Sequence, residues 1–115
     1  MLTLEIHERM AGEVVILDVH GRATIGAGAD LMSATLRKVM DRGARKVLVN
    51  LAQTQQLDSS SISILVRAFV TMGKAGGSLR LVGATGRVRE VLHITRLLDA
   101  IPSYEHEAGA VASFG

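Results

Sequence analysis

Val47-Leu48-Val49-Asn50-Leu51 runs towards Leu57-Asp58-Ser59-Ser60-Ser61-Ile62-Ser63-Ile64-Leu65, and the reading of these two stretches together decides the fold. The first is short, branched and apolar, as a strand buried on both faces must be. The second leads into apolar residues at helical spacing. A hydroxyl cluster therefore stands where a strand hands over to a helix N-terminus. That end of a helix carries unpaired N–H groups and about half a positive charge. It accommodates an anion, and a phosphate placed on a serine there would change the surface charge sharply. Capping of the helix by a serine is the plainer use of the same residues. Capping needs one hydroxyl, whereas residues 59–63 hold four serines in five positions. At the level of the residues both uses stay open.

Working outward towards the N-terminus, Leu2, Leu4 and Ile6 alternate with polar residues, which predicts a half-buried strand. Gly12 marks a turn, and Val14 to Val19 predicts a hairpin partner. Gly21, Gly26 and Gly28 break the pattern. From Asp30, the residues Met32, Leu36, Val39 and Met40 form the stripe of an amphipathic helix, with Gly43 placed to end it. Towards the C-terminus, the second helix starts at Ser59 or Ser60, with Ile62, Leu65, Val66, Phe69 and Val70 as its apolar stripe, and Gly73, Gly76 and Gly77 end it. Leu79 to Val82 is another short buried strand. Thr85 opens a third helix with the stripe Val88, Val91, Leu92, Thr95 and Leu98. After Pro102, Ser103 to Glu107 predicts an edge strand and Ala108 to Phe114 a final helix. The expected order is β-β-α-β-α-β-α-β-α: an α/β fold with a mixed central sheet covered by about four helices.

Composition narrows the function. At 115 residues the chain is expected to form one domain over residues 1–115. Apolar residues make up 48%, enough for a real core, and with only Phe69, Phe114 and Tyr104 as aromatics that core is aliphatic. The absence of cysteine removes disulfides and thiolate chemistry and fits an intracellular home. No apolar run approaches a membrane span, and a net charge of +2 is too small to argue for nucleic acid.

Other motifs yield to simpler readings. Gly26-Ala27-Gly28-Ala29-Asp30-Leu31 imitates the start of a dinucleotide fingerprint, but Leu31 stands in place of the third glycine, so a flexible turn is expected. The serines lack the flanking glycines of a hydrolase nucleophile, and His7, His20, His93 and His106 lack zinc-site spacing. His7 and His20 are expected on the surface of the hairpin. Arg80, Arg87, Arg89 and Arg96 are interspersed with Glu90 and Asp99 and read as a solvated face rather than a nucleic-acid or membrane surface.

Asp58-Ser59-Ser60-Ser61 resembles the Asp-Ser-Ser-Gly or Asp-Ser-Thr-Gly turn of STAS-domain anti-sigma factor antagonists of bacteria. Gly21 to Gly26, Gly76 to Leu81 and Val91 to Leu98 also look like segments of one antagonist-like subgroup. The resemblance implies a STAS-like fold and a non-enzymatic, cofactor-free, cytoplasmic protein-binding switch. It implies Ser60 as phosphoacceptor, and Asp58, Ser59, Ser60, Ser61 and Thr24 as partner contacts. It implies two partners, an anti-sigma factor that resembles a GHKL-type serine kinase and a PP2C-type phosphatase, with no direct contact to nucleic acid or membrane. Two other uses of the same fold stay open: a non-switching scaffold or transporter-associated module, and a small-ligand or lipid-binding domain. Thr24 stands where many members carry Asp or Asn, and Ser61 where the family usually has glycine. Ser63 likewise stands where many members have another glycine, and the added bulk and competing hydroxyls are expected either to hinder a kinase at Ser60 or to offer it a choice of acceptors.

Overall fold

Val14, Val15, Ile16 and Leu17 are all buried, so this strand has neighbours on both faces and both edges. The computed structural model describes residues 4–96 and 100–115. Strand β1 (Leu4–Ala11) forms a hairpin with β2 (Val14–Ala23). The antiparallel register pairs Ile6 with Val19 and Ala11 with Val14. Helix α1 (Ala27–Asp41) then crosses to β3 (Lys46–Asn50), which pairs with β2 in parallel and sets Val15 beside Val47. Strand β4 (Thr54–Leu57) leads into α2 (Ser59–Lys74). Beyond it come β5 (Ser78–Val82), α3 (Gly86–Ile94), β6 (Ser103–Tyr104) and α4 (Glu107–Ala112). The sheet order is β1-β2-β3-β5-β6, with β4 paired in parallel to the far end of β2.

Alternation along the strands sorts the core into two layers. Val15, Leu17, Val19, Val47, Val49, Leu79 and Leu81 meet α1, α2 and α3 through Met32, Leu36, Leu65, Met72, Val88 and Leu92. Val14, Ile16, Leu48 and Val82 face the other way and meet Ala110 of α4, with Tyr104 and Phe114 packed beside them. Helix α4 is held there by charge. Arg9 donates through Nη1 to Glu107 Oε2 at 2.9 Å, and through Nε to Asp18 Oδ2 at 2.6 Å. Asn50 Nδ2 adds a 2.8 Å bond to Asp18. The Arg9 guanidinium holds the carboxyls of both Asp18 and Glu107 below the usual range.

The mixed α/β class agrees with the expectation, and three details correct it. Strand β4 is additional. Gln55 and Gln56 are exposed and give it no apolar pattern, but β2 runs on to Ala23 and offers a free edge to pair with. Helix α1 starts at Ala27 rather than Asp30. Gly26 precedes it with φ of 98°, and a Cβ on Gly28 would lie 2.6 Å from the carbonyl oxygen of Arg22. The glycines therefore serve a sharp entry and a close approach. The core face of α2 is Ser61, Leu65, Ala68 and Met72, with Val70 of the expected stripe 47% exposed. In α3, Val88 and Leu92 are buried as expected, Thr95 is exposed, and Leu98 lies outside the described residues. No described helix is long and apolar enough to cross a membrane.

Candidate functional site

Asp58 is extended, with ψ of 179°, and caps α2. Its Oδ1 accepts the Ser61 amide at 3.2 Å, and its Oδ2 accepts the Ile25 amide at 2.7 Å. One carboxylate thus closes the first turn of α2 and ties down the loop between β2 and α1. Asp58 itself is held through its amide, which donates to the Ala23 carbonyl at 3.2 Å. Residues 23–25 and 58–61 form one rigid corner at the end of the sheet. The cap is the aspartate, so the serines are released from that duty.

The three consecutive serines then point in three directions, as a 100° step per residue requires. Ser59 is exposed, Ser60 is half-buried, and Ser61 is fully buried. Ser63 is exposed one turn on. Ser60 occupies the second helical position, where a negative charge interacts favourably with the helix end. Beyond the Asp58 cap, the first turn itself contains no acidic residue.

The placement of Ser61 corrects its expected role. It has no exposed surface, so it offers neither bulk nor hydroxyl to a partner in this conformation. Its Oγ has no hydrogen-bond partner. Glycine and serine at this position differ inside the protein, where the helix packs on the core, rather than at the contact surface. Thr24 is half-buried, and its carbonyl accepts the Ala29 amide at 2.8 Å. The loop is anchored by the main chain of Ile25, an anchor that does not depend on the side chain at position 24.

Sequence reasoning missed Ile25. Its side chain is 80% exposed, although its amide is pinned to Asp58. Leu31, in the first turns of α1, is 39% exposed. The available signal was an isoleucine between Thr24 and Gly26 in a glycine-rich loop. Hydroxyls and an exposed apolar side chain on a pinned main chain share one end of the molecule, which suits a protein partner better than a reacting small molecule.

The remaining candidates separate. Arg80 turns to the opposite layer, 4.5 Å from the centre of the Phe114 ring and 2.9 Å from Ser113 Oγ. Arg89 approaches Glu105 at 3.9 Å. The four arginines do not form one stripe. His7 and His20 lie exposed on the hairpin with ring centres 5.1 Å apart. Among the described residues no group of three or more His, Cys, Asp or Glu side chains is gathered to hold a metal ion.

A family model described as STAS domain matches residues 3–110. A Thermotoga neapolitana protein, a TM1081 homologue named as a candidate anti-sigma factor antagonist, is 30% identical over 66 residues. The match spans 57% of this chain and 58% of that protein. The crystal structure of an anti-sigma factor antagonist from Mycobacterium paratuberculosis superposes with a TM-score of 0.88 at 19% identity, covering 96% of this chain and 93% of the other. The Bacillus cell fate determinant SpoIIAA in its phosphorylated form superposes with a TM-score of 0.72 at 16% identity, covering 95% of this chain and 98% of that one. At such identities the two superpositions establish the fold.

Proposed function

The chain belongs to the STAS domain family, and from that membership we propose that it is an anti-sigma factor antagonist switched by phosphorylation of Ser60. Unphosphorylated, it binds an anti-sigma factor of the GHKL serine-kinase kind and so frees a sigma factor. The kinase transfers the γ-phosphoryl group of ATP to Ser60 Oγ. The serine proton passes to a base of the kinase and ADP leaves. The phosphorylated protein lets go, and a PP2C-type phosphatase hydrolyses the ester and resets it. The domain itself catalyses neither step.

The observation that carries this reading is the half-exposed Ser60 in the first turn of a 16-residue helix, beside the exposed Ile25 and behind a cap that Asp58 alone supplies. A hydroxyl there joins a contact surface without cost. A phosphate there brings about −1.5 to −2 charges into the middle of it. An uncompensated charge in a contact surface costs several kcal/mol, enough to end binding. The relatives named as antagonists and the phosphorylated state of SpoIIAA support the same reading.

The test is affinity capture from the native host with wild type, Ser60→Ala and Ser60→Asp as baits. The proposal expects a GHKL-type kinase on the first two and its loss from the third. Capture of a transporter component by all three alike would replace the switch with the scaffold reading.

A further inference from the structure

We propose that the groove between α1 and α2 receives an acidic amphipathic helix of a partner protein, a contact separate from the Ser60 corner. The groove has a volume of about 370 Å³. Its floor is apolar, with Leu36 and Ala68 buried and Met40 and Ile64 half-buried. Arg37 from α1 and Arg67 from α2 stand exposed on its rims. Neither enters an ion pair among the described residues. Arg42, the other arginine of this region, is taken by Glu8 at 2.7 Å.

Charge selects the occupant. Lys38 lines the adjoining hollow together with Arg37, and Asp41 is the one acidic residue lining either. With Arg42 neutralised by Glu8, the cations Arg37, Lys38 and Arg67 against Asp41 leave an excess of two positive charges, as large as the net charge of the whole chain. Arginine pairs with a carboxylate through two parallel hydrogen bonds, so two arginines facing each other across an apolar floor suit carboxylates flanking apolar residues. A helix with apolar residues at i, i+3 and i+4 and glutamates beside them presents that pattern. Small-molecule sites bury most of their ligand. Here Arg37, Asp41, Arg67 and Thr71 are all exposed, so the site is an open trough that suits an extended element.

The groove also points at the switch. Ser60, Ile64, Arg67 and Thr71 follow one ridge of α2 at spacings of four, three and four residues. A helix lying in the groove therefore ends near Ser60, and charge added at Ser60 falls at its end. That coupling rests on the proposed Ser60 switch, whereas the groove itself does not.

The test uses ¹⁵N-labelled protein and a synthetic helical peptide of about 16 residues carrying Glu and Leu at i, i+4 spacing. Amide shifts are expected to concentrate at Leu36, Arg37, Met40, Ile64, Arg67 and Ala68. The double variant Arg37→Gln/Arg67→Gln, altered only at exposed positions, is expected to bind the peptide at least tenfold more weakly. Ser60→Ala is expected to bind it unchanged, which separates the groove from the switch. Equal binding of a peptide with the same composition in scrambled order would overturn the proposal, as would unchanged affinity in the double variant. Binding of decanoate with the same shift pattern, without binding of the peptide, would make the groove a small-molecule site instead. Concentration-dependent shifts at these amides without peptide would assign it to a second copy of the chain.

Discussion

Asp58 and Ile25 lie 33 residues apart in the chain, yet the aspartate carboxylate accepts the isoleucine amide at 2.7 Å. The same carboxylate accepts Ser61 N of α2. The main chain at Ile25 and the first turn of α2 that carries Ser60 are thereby tied to one carboxylate. A partner that reads both meets a surface ordered in advance, which lowers the entropic cost of binding.

Asp58→Ala removes the cap and the loop tie together. Loss of an aspartate cap costs about 0.5–2 kcal/mol. A urea melt is expected to show a loss within or slightly above that range. The Ile25 amide is expected to lose protection from hydrogen exchange. An unchanged Ile25 exchange rate would mean that the loop is held by other contacts.

Ser60→Ala is expected to keep the affinity of the wild type for the proposed anti-sigma partner, and Ser60→Asp to lose at least about tenfold, or about 1.4 kcal/mol. Aspartate copies part of the phosphate charge, so the phosphorylated protein is expected to bind more weakly still. Isothermal titration of the three proteins decides. Equal affinities would exclude a charge-operated switch at this position.

Ser61→Ala is expected to stabilise the fold by about 1 kcal/mol. It removes a buried hydroxyl without a partner and raises helix propensity. A thermal melt that shows a loss would reveal a hydrogen bond for Ser61 Oγ. Ser61→Gly is expected to act through the stability of α2 rather than through access to Ser60, so phosphorylation time courses are expected to differ little from wild type.

Leu65→Ala is expected to cost about 2–5 kcal/mol, because Leu65 is fully buried between α2 and the sheet. Val70→Ala, at an exposed position of the same helix, is expected to stay within about 0.5 kcal/mol of wild type. Similar losses for both would displace the core face of α2.

Asp18 and Glu107 have carboxyls held low by Arg9. Their unfolded-state values lie near 4. A folded value below the unfolded one gives stability that is present above about pH 4 and lost as pH falls through the folded value. Acid unfolding of Asp18→Asn is therefore expected to have a shallower pH slope than wild type below about pH 4. The variant is also expected to be less stable than wild type at pH 7. Parallel acid curves would show that the Arg9 network contributes nothing to acid sensitivity.

Local chemistry was enough to determine much of this protein. The branched runs at Val47–Val49 and Leu79–Val82 are buried strands because nothing in them suits water. The hydroxyl cluster sits at a helix start because an Asp-Ser-Ser stretch precedes an apolar stripe. The choice of Ser60 among the four serines comes from the family resemblance of Asp58-Ser59-Ser60-Ser61, because local chemistry leaves capping and phosphorylation both open. Tertiary structure decided the rest. Thr54-Gln55-Gln56-Leu57 is a strand because β2 continues past β3 and leaves an edge beside it, which no local pattern records. Ser61 is interior because the packing of α2 on the core fixes the rotation of the helix. The cap and the loop tie meet in one carboxylate because the parallel pairing of β2 with β4 brings Ala23 beside Leu57, and so Ile25 beside Asp58. Periodicity and propensity act over a few neighbouring residues, whereas strand register and helix rotation are settled only when segments distant in the chain are packed together.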